Sequence, residues 1–90
     1  MYTLSFSPQA IKDLSRLKKS APVAFIKARQ LLLELQEHPK TGTGKPEALR
    51  GELAGLWSRR ISKKHRLVYG IEDNVVKVSV LSAYGHYIDK

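Results

Sequence analysis

Apolar residues alternate with polar ones at Tyr2, Leu4 and Phe6, the two-residue period of a short strand with one buried face. Ser7 then offers a side-chain oxygen for capping a helix. Pro8 suits the first helical position, because its missing N–H would have no intrahelical acceptor. Ile11, Leu14 and Leu17 recur at helical spacing while Lys12, Arg16, Lys18 and Lys19 fall outside the stripe, so an amphipathic helix is predicted to end near Lys19. Ser20 and Pro22 punctuate the connection. Val23, Ile26, Leu31, Leu32 and Leu35 form a second stripe, with Glu34 and Glu37 on its wetter side and His38 and Pro39 as its stop. Helices joined this tightly form a hairpin, which needs a sheet to pack against.

Residues 40–52 contain Gly42, Gly44, Pro46 and Gly51, the composition of a loop or short helical turn instead of another strand. Three short β patterns follow, at 56–61, 65–71 and 75–81. Alternation puts Trp57, Arg59 and Ile61 on one face of the first and Ser58 and Arg60 on the other. Leu67, Tyr69 and Ile71 make the apolar face of the second, and Val76, Val78 and Val80 that of the third. A turn at 62–64 sets Arg60 opposite Arg66, and Glu72, Asp73 and Asn74 supply the next turn. The predicted architecture is α+β: two N-terminal helices packed on a small antiparallel β-sheet, in the order β-α-α-β-β-β.

A chain of 90 residues, 42% of them hydrophobic, supports one modest core, so residues 1–90 are read as a single domain. The absence of cysteine excludes disulfides, thiolate nucleophiles and cysteine-ligated zinc. His38, His65 and His86 lack the spacing of a recognised metal motif, and the glycines match neither phosphate-loop nor dinucleotide patterns. A function without metal or nucleotide cofactor is therefore expected. No segment is long and apolar enough to span a bilayer, and the N-terminus lacks the pattern of a secretion signal, which favours a soluble, cytoplasmic protein.

Charge narrows the choice of partner. Sixteen lysines and arginines against 8 acidic residues give a net charge of +8, which attracts nucleic acid and acidic proteins alike. The run Arg59, Arg60, Lys63, Lys64, His65 and Arg66 brackets the predicted turn and concentrates that charge at one edge. Metal-free RNA cleavage needs a base, an acid and a cation. Glu47 can take the proton from a ribose 2′-hydroxyl, His86 can protonate the departing 5′-oxygen, and Arg66 with Arg60 can stabilise charge growing on the phosphate. Each residue also has an ordinary alternative: Glu47 as a helical-turn cap, His86 as a surface histidine, Tyr87 as a packing residue, and the arginines as solubilising charge.

The linked segments GTGKPEAL, GLWSRRI, HRLVY and the terminal HY closely resemble the Txe/YoeB family of toxin mRNA interferases in the RelE-like superfamily, over nearly the whole chain. The resemblance implies a RelE-like toxin fold and an endoribonuclease that cuts mRNA in the A site of the 70S ribosome. It also implies contacts with ribosomal RNA, a cognate antitoxin protein and a homodimeric form. On this resemblance Glu47 is the general base, Arg66 the phosphate-stabilising arginine and His86 the general acid, with Tyr87 and Arg60 positioning the substrate. Lys45 and Arg50 look like RNA or ribosome contacts, and the basic run adds Arg59, Lys63, Lys64 and His65 to that set. Some relatives carry cysteine, arginine and tyrosine where this chain has Ala83, Tyr84 and Gly85. The competing reading is a noncatalytic module that binds ribosome, RNA or antitoxin through its basic sheet.

Overall fold

The computed structural model describes residues 1–85; the predicted His86 and Tyr87 lie outside the described residues. The chain forms β1 (Thr3–Phe6), α1 (Pro8–Ser20), α2 (Pro22–Glu37), β2 (Glu47–Ala48), β3 (Leu56–Arg60), β4 (Arg66–Glu72) and β5 (Lys77–Ser82), with 3-10 turns at Gly51–Leu53 and Asp73–Val75. The strands make one sheet in the order β1-β5-β4-β3-β2. Both helices pack on one face of it, where Leu17, Ala28, Leu31 and Leu35 meet Leu67, Tyr69, Val78 and Val80. No described helix is long and apolar enough to cross a membrane.

The sheet is mixed where a purely antiparallel one was expected, because β1 pairs parallel to β5, from Thr3↔Lys77 to Phe6↔Val80. A parallel neighbour requires a crossover, and the helical hairpin with the other strands supplies it. Strand β2 is a second difference. Two residues of the presumed loop, Glu47 and Ala48, pair with Ser58 and Trp57 and add an edge to the sheet. The hairpin register agrees with expectation: Arg60 lies opposite Arg66, and the Ile61 amide donates to the His65 carbonyl over 3.0 Å.

Ser7 caps α1 by accepting from the Ala10 amide at 3.0 Å, with Pro8 in the first turn. Its hydroxyl also donates to the Leu81 carbonyl at 2.8 Å. Leu81 is the residue skipped where the β4–β5 register shifts between Val68↔Ser82 and Tyr69↔Val80, so the cap satisfies a carbonyl at that irregularity.

Several apolar positions expected in the core face water instead, Phe6 at the end of β1 among them. Ile11 on α1 and Val23 and Ile26 on α2 are exposed, whereas Ala10, Leu17, Ala28, Leu31 and Leu35 are buried. The true stripe of α1 runs through Ala10, Asp13 and Leu17, and a buried carboxyl within it hid the period from hydropathy. Val76 also leaves the core. It ends the second 3-10 turn at φ 51°, a left-handed conformation unfavourable for a β-branched residue, and is 43% exposed.

The largest fully buried side chain is Arg59. Its Nε–H donates to the Tyr69 hydroxyl at 3.1 Å. Nη1 reaches Glu34 Oε1 at 2.8 Å and the Thr43 carbonyl at 3.3 Å, and Nη2 reaches the carbonyls of Thr41, at 2.7 Å, and His38. Five donors thus meet five acceptors. Tyr69 extends the network by donating to the Pro39 carbonyl at 2.8 Å, and burial raises its phenol pKa against the opposing pull of Arg59. Lysine carries three donors and no planar fork, so Arg59→Lys leaves buried acceptors unmatched. Urea denaturation of Arg59→Lys should show a loss of roughly 3–5 kcal/mol, the usual result of breaking a buried ionic network. A loss below about 1 kcal/mol would mean that the network contributes little net stability.

Candidate functional site

The loop after α2 is shaped by close approach to β3. Gly44 has φ 83°, its carbonyl accepts from the Arg60 amide at 2.7 Å, and a Cβ there would lie 2.9 Å from the Arg60 carbonyl oxygen. At Gly42, with φ 124°, a Cβ would meet Glu34 Oε1 at 2.5 Å. A side chain at Gly44 would push the loop off the β3 backbone, and one at Gly42, where the positive φ already strains any side chain, would displace the Glu34 carboxylate. Lys45 follows with φ 52°, and the chain then enters β2 with Glu47 opposite Ser58.

Paired residues on neighbouring strands project to the same face. Glu47, Ser58 and Val68 therefore form one row across β2, β3 and β4, and Arg60 and Arg66 form the adjacent row. This face is opposite the one that Leu67 and Tyr69 present to the helices. Glu47 and Arg60 are diagonal neighbours in this register, a separation of roughly 7–8 Å that long side chains can span. The carboxylate and both arginines thus share one side of a short stretch of sheet.

Beside this row an open cleft of about 430 Å³ is lined by Lys27, Gly44, Lys45, Arg60, Ile61, Ser62, Lys63 and Arg66. Five of those side chains are cationic, and no carboxylate is among the described residues that line it. Arg66 Nη1 donates to the Ser62 carbonyl at 3.0 Å, which holds part of its guanidinium at the hairpin tip. Among the described residues neither Arg60 nor Arg66 has a carboxylate partner, since the ion pairs are Lys40 with Asp73 and Arg59 with Glu34. Facing arginines repel unless an anion lies between or beside them. Chemically, the cleft suits a phosphodiester.

The remaining candidates divide. Lys63 and Lys64 are exposed at the tip of the hairpin, and Lys63 reaches the cleft. Arg50 is exposed just before the Gly51–Leu53 turn and is absent from the cleft lining. Arg59 is fully buried, so it cannot reach an RNA from where it sits; strand alternation pointed to this inward face, whereas its place in a basic run did not. His65 is 7% exposed, and its ring packs against Tyr84 with centroids 4.4 Å apart, so it too is not part of an open RNA-facing surface. Lys27 lines the cleft from α2 and was missed. Its only signal was a cation on the same helix as the apolar stripe, and only the packing of α2 brings it beside Gly44 and Arg60.

Comparison with known proteins supplies first the class and then the family. A YoeB/ParE toxin from Agrobacterium tumefaciens has the same fold, with a TM-score of 0.87 and 30% identity covering 94% of this chain and 99% of that one. A chain of the heterotetrameric YoeB-YefM toxin-antitoxin complex from Staphylococcus aureus matches with a TM-score of 0.80 and 35% identity, covering 97% and 99% of the two chains. The class is thus a bacterial toxin of the YoeB/RelE-like fold. A family model described as the YoeB-like toxin of bacterial type II toxin-antitoxin systems matches residues 6–87. Toxin YoeB from Mycobacterium bovis is 42% identical over 87 residues, which are 97% of this chain and 100% of that protein. This chain belongs to the YoeB-like family of type II toxins.

Glu34 couples the base of the cleft loop to pH. Hydrogen bonding from Thr43, followed by that from Arg59, holds its carboxyl below the ordinary value of 4.5 despite partial burial. The unfolded chain therefore takes up this proton first as pH falls. The contribution to stability is complete above about pH 4.5 and is lost as pH drops through the lower folded-state value. Unfolding free energies of wild type and Glu34→Gln, measured from pH 6 to pH 3, should converge at the acid end, whereas a constant gap would exclude the linkage.

Proposed function

We propose that this toxin is a ribosome-dependent endoribonuclease that cleaves mRNA in the ribosomal A site by metal-free attack of the ribose 2′-hydroxyl on the adjacent phosphate. The observation that carries this reading is the sheet face away from the helices, where exposed Glu47 lies one row from the Arg60 and Arg66 pair beside an open cationic cleft. Glu47 accepts the 2′-hydroxyl proton. Arg66, aided by Arg60, stabilises the extra negative charge on the pentacoordinate phosphorus centre. His86 donates a proton to the 5′-oxygen as its bond to phosphorus breaks, and Tyr87 orients the phosphate. The 2′-oxygen becomes bonded to phosphorus, which leaves a 2′,3′-cyclic phosphate and a 5′-hydroxyl end.

Lys27, Lys45 and Lys63 extend the positive field along the path of the backbone, and Arg50 and Lys64 meet RNA further out. A cognate antitoxin holds the toxin inactive in the cell, a role supported by the YoeB-YefM complex of S. aureus. The same cationic face would attract an acidic segment of such a partner.

Release of the chain from its antitoxin, addition to programmed ribosomes and mapping of RNA ends tests the mechanism. Wild type should cut within the A-site codon and leave 5′-hydroxyl and cyclic-phosphate ends. Glu47→Gln, Arg66→Ala and His86→Gln should each slow cleavage by roughly 10²–10⁴-fold while remaining folded. Ribosome binding without new RNA ends would replace this reading with noncatalytic binding, and 5′-phosphate ends would rule out attack by the 2′-hydroxyl.

A further inference from the structure

Residues 83–85, just after β5, are held by groups from α1 and from the β3–β4 hairpin. The Ala83 amide donates to Asp13 Oδ2 of α1 at 2.9 Å, and the other Asp13 oxygen accepts from Gln9 Nε2 at 2.7 Å. Asp13 is only 5% exposed. Tyr84 contacts the guanidinium of Arg16, 3.9 Å from its ring centroid, and the ring of His65. The Gly85 amide donates to His65 Nδ1 at 2.8 Å, and the Gly85 carbonyl accepts from the Arg66 amide at 2.9 Å.

The histidine bond has a defined polarity. A backbone N–H can only donate, so Nδ1 must carry the lone pair and the neutral ring holds its proton on Nε2. Gly85 has φ 73°, a left-handed conformation that turns the chain immediately before its bond to His86. His65 therefore grips the Tyr84–Gly85 peptide, and the Arg66 amide holds the Gly85 carbonyl that precedes the residue assigned above as general acid.

We propose that His65 is a positioning residue: its Nδ1, with its ring against Tyr84, fixes the Gly85 amide next to the proposed general acid and thereby acts on the rate of cleavage. The grip on Gly85 is independent of the reaction, whereas its consequence for cleavage rests on the proposed function. A general acid displaced by about 1 Å can lose on the order of 10²-fold in rate, so a group that sets the start of its segment acts on turnover more than on binding.

His65→Leu keeps apolar bulk and removes the acceptor, while His65→Asn returns an oxygen at about the position of Nδ1. Amide hydrogen exchange of Gly85 in the full chain should be faster by at least tenfold in His65→Leu and restored to within about threefold of wild type in His65→Asn. On programmed ribosomes, His65→Leu should lower the maximal cleavage rate roughly 10–100-fold with little change in the half-saturating ribosome concentration, and His65→Asn should recover most of it. Unchanged Gly85 exchange in a folded His65→Leu protein overturns the grip. A released Gly85 with wild-type cleavage, or a loss confined to ribosome affinity, overturns positioning. A wild-type chain that cuts no message overturns the proposed nuclease and the catalytic consequence of His65 together, while Gly85 exchange still decides whether the grip exists.

Discussion

The buried guanidinium of Arg59 is the constraint on which the cleft depends. Removing a cation from water costs several kcal/mol unless its charge and every N–H are matched. Here one carboxylate, three backbone carbonyls and a phenol oxygen meet the fork. Those acceptors come from α2, from the loop after it and from β4, so satisfying one side chain in β3 gathers three separate parts of the chain. The loop drawn in this way carries Gly44 against the β3 backbone and delivers Lys45 and Glu47 to the sheet edge. The cationic cleft at the surface is thus supported by a buried arginine that is absent from its lining.

The β3–β4 hairpin has two sides with different tasks. Inward, Arg59, Leu67 and Tyr69 secure it beneath the helices. Outward, Arg60 and Arg66 remain adjacent without a described carboxylate partner, an arrangement that is unfavourable alone and favourable once an anion arrives. The end of the same hairpin holds Gly85 through His65 and the Arg66 amide. The loop bearing the proposed base and Gly85, next to the proposed acid, consequently both bond to the same hairpin. The chain that carries this arrangement belongs to the YoeB-like family of type II toxins.

Much of this design was legible in the residue pattern. Alternation located β1, β3, β4 and most of β5, Ser7 and Pro8 marked the start of α1, and the turn residues aligned Arg60 with Arg66. These features are local: a period of two, a cap or a short turn is specified by side chains within a few positions of one another. The linked motifs also identified the family correctly. Errors arose where a polar group was buried or an apolar one was left outside. Asp13 interrupted the true stripe of α1, Val76 occupied a left-handed turn position, and Arg59 and His65 looked like surface charge because they stood within a basic run.

The sequence by itself determined the two helices, the β-hairpin, the excess of positive charge and the identity of the groups available for phosphate chemistry, since these depend on local period, turn chemistry and composition. Only the tertiary structure decided that β1 runs parallel to β5, that Glu47 joins the sheet, that Lys27 reaches the cleft, and that Arg59 and His65 turn inward. The reason is physical. A buried polar side chain is tolerated only when distant donors and acceptors converge on it, and that convergence, as between Asp13 and Ala83, is absent until the chain has packed.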